Sequence, residues 1–99
     1  MKFKTLIGFV RLTKAAIDHI IQRHPIMEDY FEDVKEVLKT PEDLRYSSRS
    51  DEVLLFYRYF DKIENGKYIC VVVSKTDKVV LTTYLTQRIK AGRKYEEKQ

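Results

Sequence analysis

The sequence predicts an α+β fold in which two N-terminal helices pack on a small antiparallel β-sheet of about four strands. Three observations carry that expectation. Apolar residues recur at helical spacing between residues 13 and 39. From residue 53 the period changes to two, the mark of strands. Between the first two of those strands, Glu64-Asn65-Gly66 carries the Asn-Gly signal of a tight hairpin.

Val10 to Leu12 fits a short strand leading into the first helix. Thr13 is placed to cap that helix, because its hydroxyl can accept from the free amides of the first turn. Ala16, Ile17, Ile20, Ile21 and His24 fall on one face, while Asp18, Gln22 and Arg23 lie mostly opposite. Pro25 ends the helix, since its ring disfavours α geometry at the residue before it. A second helix is expected over about 27–39, with Tyr30, Phe31, Val34, Val37 and Leu38 as its apolar stripe. Glu28, Asp29, Glu32 and Asp33 crowd its first two turns, where the helix dipole favours acids. Thr40-Pro41-Glu42-Asp43 then reads as a turn or as the cap of one short extra turn. Leu44 to Ser47 is a short strand joined through the polar Ser48-Arg49-Ser50-Asp51. Val53 to Phe60, Lys67 to Lys75 and Val79 to Thr86 follow as longer strands, and Thr76-Asp77-Lys78 turns the second of these into the third. Helices first and a meander after them is the α+β pattern. Arg88 to Gln99 reads as a basic tail or a frayed last helix, with 96–99 as a flexible end to a single domain over 1–95.

Composition narrows the function classes. Ninety-nine residues suit one core. One cysteine, Cys70, excludes a disulfide scaffold, and the absence of CxxC, HExxH and EF-hand spacings predicts no metal and no cofactor. The apolar run Leu6 to Val10 stops at Arg11, short of the roughly 7–15 residues of a signal core, and nothing nears the roughly 18 of a membrane span. A soluble cytoplasmic protein with no membrane partner is expected. The net charge of +4 is unevenly spread. Residues 1–14 carry four basic groups and no acid, Glu28 to Asp43 carries seven acids, and 88–99 is basic again. Such a division can steer a polyanion to one side of a molecule, or merely keep it soluble.

His24 is the first candidate for chemistry. It continues the apolar stripe of its helix, so it points toward the sheet, either as an acid or base in a cleft or as a buried imidazole bonded to a carbonyl. Arg58 alternates with Leu54, Phe56 and Phe60, and an unpaired guanidinium among them would be costly. It requires an acidic partner, a route to solvent at the strand end, or an anion such as phosphate. On the opposite face Tyr57 and Tyr59 offer packing or a stacking platform for bases. The last strand sets Thr82, Tyr84 and Thr86 on one face, a poor core face and a reasonable site wall. Lys75 stands at a strand end, where its ammonium reaches solvent. A histidine, an arginine and hydroxyls without metal ligands suit transesterification of RNA. That reaction needs a proton acceptor for the 2′-hydroxyl, an acid for the leaving 5′-oxygen, and donors on the charged phosphorane. His24, Arg58 and Thr82 fit those roles as acid/base, clamp and phosphate donor, with Tyr84, Lys75 and Tyr57 as substrate-binding groups.

The segment Asp18-His19-Ile20-Ile21-Gln22-Arg23-His24-Pro25 resembles the opening motif of phage and mobile-element domains in the barnase–EndoU–colicin–RelE-like nuclease superfamily. Val53-Leu54-Leu55-Phe56-Tyr57-Arg58-Tyr59, Tyr68-Ile69-Cys70-Val71-Val72-Val73 and Val80-Leu81-Thr82-Thr83-Tyr84-Leu85-Thr86 follow in that family's order. The likeness spans residues 9–95. It implies N-terminal helices on an antiparallel sheet, as in RelE and barnase, and a metal-independent ribonuclease site on that sheet, in a toxin or mobile-element effector. Mapped by motif, the site residues it implies are His24, Arg58 and Thr82, with Tyr84 adjacent. RNA would be the substrate and an antitoxin or other inhibitory protein a partner. The departure is Ile26, which stands where the pattern has an acid, with Glu28 two positions later. The alternative is a non-catalytic module on the same scaffold that binds nucleic acid through its basic ends, or a basic protein through its acidic helix.

Overall fold

The computed structural model describes residues 1–90 and 92–95. A hairpin opens the chain, β1 (Lys2–Thr5) and β2 (Gly8–Arg11), followed by α1 (Lys14–Arg23), a 3-10 helix (Pro25–Tyr30) and α2 (Phe31–Lys39). Four strands complete it: β3 (Asp43–Ser47), β4 (Ser50–Phe60), β5 (Lys67–Ser74) and β6 (Val79–Thr86). They form one six-stranded sheet in the order β1-β2-β6-β5-β4-β3.

This corrects the expected fold class. The sheet has six strands instead of about four, and two of them precede the helices, so the helices are not N-terminal. It is also mixed, because β2 runs parallel to β6 where Arg11 sits beside Val79 and its amide donates to the Lys78 carbonyl at 2.9 Å. The opening hairpin is hidden in the sequence because its turn, Leu6-Ile7, is apolar and continuous with the apolar residues of β2. Gly8 resolves that turn at φ 101°, a backbone that glycine adopts without a steric penalty.

The remaining elements follow from local chemistry. Thr13 caps α1 as expected, its hydroxyl accepting from the Ala16 amide at 3.1 Å. Residues 25–30, expected partly within the second helix, instead wind as a 3-10 segment behind Pro25, and α2 begins at Phe31. Thr40 to Glu42 forms no extra helical turn; it leads directly into β3. Ser48 and Arg49 make the tight turn between β3 and β4, which starts at Ser50, earlier than expected. At the β4–β5 loop Glu64 and Asn65 take φ of 46° and 64°. Gly66 follows at φ 107°, where a Cβ would run into the phenol of Tyr59. Residues 92–95, read from sequence as a basic tail or part of a frayed helix, run alongside β3 as extended chain: Lys94 bridges to Arg45, and the Tyr46 and Tyr95 amides donate to Arg93 and Leu44 carbonyls, both at 2.9 Å. Gly92 is required there, since a Cβ would come within 2.8 Å of the Tyr46 carbonyl oxygen. The expectation for 96–99 lies outside the described residues.

The helices cover one face of the sheet. Leu54, Phe56, Ile69, Val71, Val73 and Val80 meet Leu12, Ile20, Met27, Val34, Val37 and Leu38 in a single sealed core. Burial of side chains of this size contributes about 1.5–3 kcal/mol each, so this face sets the stability. The opposite face carries a smaller cluster, Leu55, Tyr57 and Cys70, with Val53, Tyr68, Val72, Tyr84 and Ile89 around it. No helix is long and apolar enough to cross a membrane among the described residues.

Candidate functional site: the helix-free face of the sheet

The helix-free face holds a cleft of about 390 Å³. Leu55, Val53 and Val72 supply its apolar lining, the turn residues Ser47, Ser48 and Arg49 stand at one side, and Tyr84 and Lys90 at another. None of these lining groups is a carboxylate. The chain reaches this arrangement by crossing the face after β6. Ile89 packs on the apolar cluster, the Lys90 amide donates to the Tyr57 hydroxyl at 3.3 Å, and the Lys90 ammonium lies 5.6 Å over the Tyr84 ring. Arg45 ties the return to β3: its guanidinium donates to both carboxylate oxygens of Asp43, at 3.1 and 3.2 Å, and to the Gly92 carbonyl at 3.1 Å.

His24 closes the C-terminal end of α1, its amide donating to the Ile20 carbonyl at 2.7 Å. The β2–β6 pairing is confined to the start of β6, and α1 packs against that strand beyond it. The imidazole therefore meets Tyr84, with ring centroids 5.9 Å apart and planes tilted by 36°. His24 is half-buried, and its ring makes no hydrogen bond to another described residue. The buried, carbonyl-bonded imidazole weighed from sequence is thus not what forms. Tyr84 and Lys90 line the cleft, and the imidazole, which is not among the lining groups, reaches it through its contact with the Tyr84 ring.

Burial sets the protonation of the neighbouring groups. Desolvation, then the Cys70 thiol beside it, pushes the Tyr84 phenol well above the ordinary tyrosine range. Tyr57 is pushed up to about 12, chiefly by desolvation. Cys70 is pushed up to about 11 by burial, against the lowering effect of the Tyr84 and Tyr57 hydroxyls and the Lys90 charge. Tyr84 is therefore a neutral hydrogen-bond donor near neutral pH, and Cys70 is a neutral thiol with no nucleophilic character.

The sequence-derived candidates separate on this frame. His24 and Tyr84 come together, and Thr82 shares the Tyr84 face, opposite Val72. Arg58 faces the other way, into the helix layer between Phe56 and Phe60. Its guanidinium donates at 2.8 Å to the carbonyl of Thr40, which closes the C-terminal end of α2. The sheet thus stands between Arg58 and Thr82. Lys75 follows the end of β5, with its amide on the Glu52 carbonyl and its ammonium 5.4 Å over the Tyr46 ring. Tyr57 is fully buried, edge-on to Tyr68 at 6.4 Å, and presents no open face for a base. Arg49 and Lys90 were not singled out from the sequence. Arg49 lay inside a polar connection and Lys90 inside a basic terminal stretch; only the long-range return of the chain to β3 brings both to one cleft. Compared with known proteins, the chain matches no family model, no curated protein and no solved structure.

Proposed function

We propose that the protein is a small endoribonuclease that cleaves RNA by attack of a 2′-hydroxyl on the adjacent phosphate, with its centre at His24, Tyr84 and Lys90. The observation that carries this reading is the half-buried imidazole of His24 set 5.9 Å from the ring of Tyr84, which with the Lys90 ammonium above it lines the cleft. In the reaction the 2′-oxygen bonds to phosphorus and its proton passes to the His24 imidazole. The bond from phosphorus to the 5′-oxygen breaks, and that oxygen takes a proton from the Lys90 ammonium; solvent restores both groups. The neutral Tyr84 phenol donates to a non-bridging oxygen, while Arg49 and the Lys90 charge face the developing dianion. The apolar patch of Leu55 and Val72 gives a nucleobase a surface to lie on. Arg58, in place of the clamp role that its motif implied, holds α2 to the sheet. The segments around His24 and β4 to β6 that resemble the barnase–EndoU–colicin–RelE-like nucleases favour the same chemistry, and a toxin or mobile-element effector with its own inhibitory protein is the setting that likeness suggests.

Purified protein, freed of contaminating nucleases and incubated with a fluorescently labelled RNA, tests this. The expected result is fragments ending in 2′,3′-cyclic phosphate, with the rate lowered by about 10²–10⁴ in His24→Ala, the usual worth of an acid/base group. Intact RNA, or equal cleavage by His24→Ala, contradicts the reading. Salt-sensitive RNA binding without cleavage would point to a binding module instead.

A further inference from the structure

We propose that the free edge of β1 is a docking strand for an extended, acidic segment of a partner protein. Among the described residues β1 is the last strand on its side of the sheet. Met1 and Leu12 exchange both backbone hydrogen bonds, at 3.2 and 2.8 Å. In an antiparallel ladder the pairing alternates, so Met1, Phe3 and Thr5 turn their peptide groups toward β2. Lys2 and Lys4 turn theirs outward, and no hydrogen bond from elsewhere in the chain reaches those groups among the described residues. Phe3, buried against the helix layer, pins the strand in this position.

The side chains along this edge define what fits it. Lys2 and Lys4 are exposed and share a face with Phe9 and Arg11, their cross-strand neighbours. Lys2 lies 5.4 Å over the Phe9 ring, which is 59% exposed, and Leu6 at the hairpin tip is 55% exposed. No carboxylate pairs with Lys2, Lys4 or Arg11 among the described residues. A second copy of this strand would bring lysines against lysines, the device by which natural edge strands resist pairing with themselves. An incoming strand that alternates acidic and apolar residues meets all three features. Its backbone completes the ladder at Lys2 and Lys4, its carboxylates meet the ammonium groups, and its apolar side chains cover Phe9. The opposite edge is closed to such a partner, because residues 92–95 already run along β3.

The test uses the full chain and a fluorescent peptide alternating glutamate with valine. Two controls accompany it: a peptide with lysine in place of glutamate, and the acidic peptide N-methylated at every second amide. The acidic peptide is expected to bind saturably and to slow hydrogen exchange of the Lys2 and Lys4 amides, while the lysine peptide does not bind. Affinity is expected to fall about tenfold on N-methylation and about tenfold in Lys2→Glu/Lys4→Glu, a size set by two exposed ion pairs lost and reversed. If that double variant fails to fold, Lys2→Gln/Lys4→Gln replaces it, with a smaller loss expected. The proposal is overturned if the acidic peptide does not bind, if N-methylation changes nothing, if the charge variants keep full affinity, or if RNA displaces the peptide from this edge. His24→Ala is expected to bind the peptide as the parent does, so this result and the ribonuclease result are independent.

Discussion

The two faces of the sheet use similar residues for different ends. On the helix side, Arg58 sits between Phe56 and Phe60 and places its guanidinium on the Thr40 carbonyl. Its charge serves to hold a helix end. On the other side no helix covers the strands among the described residues; Arg45 there is tied to Asp43 and Gly92, whereas Lys90 lies over Tyr84 and His24 meets the same ring from the end of α1. Arg58 is thus accounted for by the helix that lies over it. Covered by a helix, it finds a backbone partner and becomes structural. The Lys90 ammonium and the His24 ring have no such backbone partner among the described residues.

The largest effect expected from this contrast is the loss of about 10²–10⁴ in cleavage rate for His24→Ala with its melting temperature nearly unchanged, followed by gel assay and calorimetry together. Phe56→Ala should do the reverse on the helix side. The side chain is fully buried, and its removal is expected to cost about 3–5 kcal/mol in denaturant unfolding, cavity included. Arg58→Ala sharpens the comparison, since it removes a charge that the sequence pattern alone suggested for the site. It should lower stability by about 1 kcal/mol, the scale of one exposed hydrogen bond, and leave the rate per folded molecule unchanged. A rate loss as deep as that of His24→Ala would return Arg58 to the chemistry.

The last effect lies in alkali. Cys70, Tyr57 and Tyr84 are all raised above their ordinary values of 9.0 and 10.0. Between those values and the raised ones, the unfolded chain has released protons that the folded chain keeps. Stability is therefore fully present below about pH 9 and falls as pH climbs toward about 12, where Tyr57 itself ionises in the fold. A denaturant midpoint that held constant from pH 9 to 11 would show that these groups are more hydrated than their burial indicates.

Much of the architecture was legible because it is local. The Thr13 cap, the end of α1 before Pro25, and the strands from residue 53 to 86 follow from side-chain period and turn chemistry, and they form where those cues lie. The opening hairpin was not legible, because Leu6-Ile7 in its turn looks like the core of an apolar run. Nor was the parallel contact of β2 with β6, or the return of 92–95 to β3, since each is set by pairing between residues far apart in sequence. The site divided in the same way. Alternation placed Arg58 and Tyr84 on their faces, but which face would be covered depended on the helices as packed. Lys90 and Arg49 carried no local signal, and only the crossing of the chain over the open face makes them neighbours of one cleft.

The most direct measurement is an amide-shift titration of the folded protein with a short RNA carrying 2′-O-methyl groups, which can bind but cannot be cut. Binding on the helix-free face should move the amides of His24, Ser48, Arg49, Tyr84 and Lys90 together, and leave those of α2 and of Lys2 and Lys4 where they were. Shifts centred on α2 or on the β1 edge, or none at all at concentrations where RNA is cleaved, would contradict the assignment of the chemistry to this face.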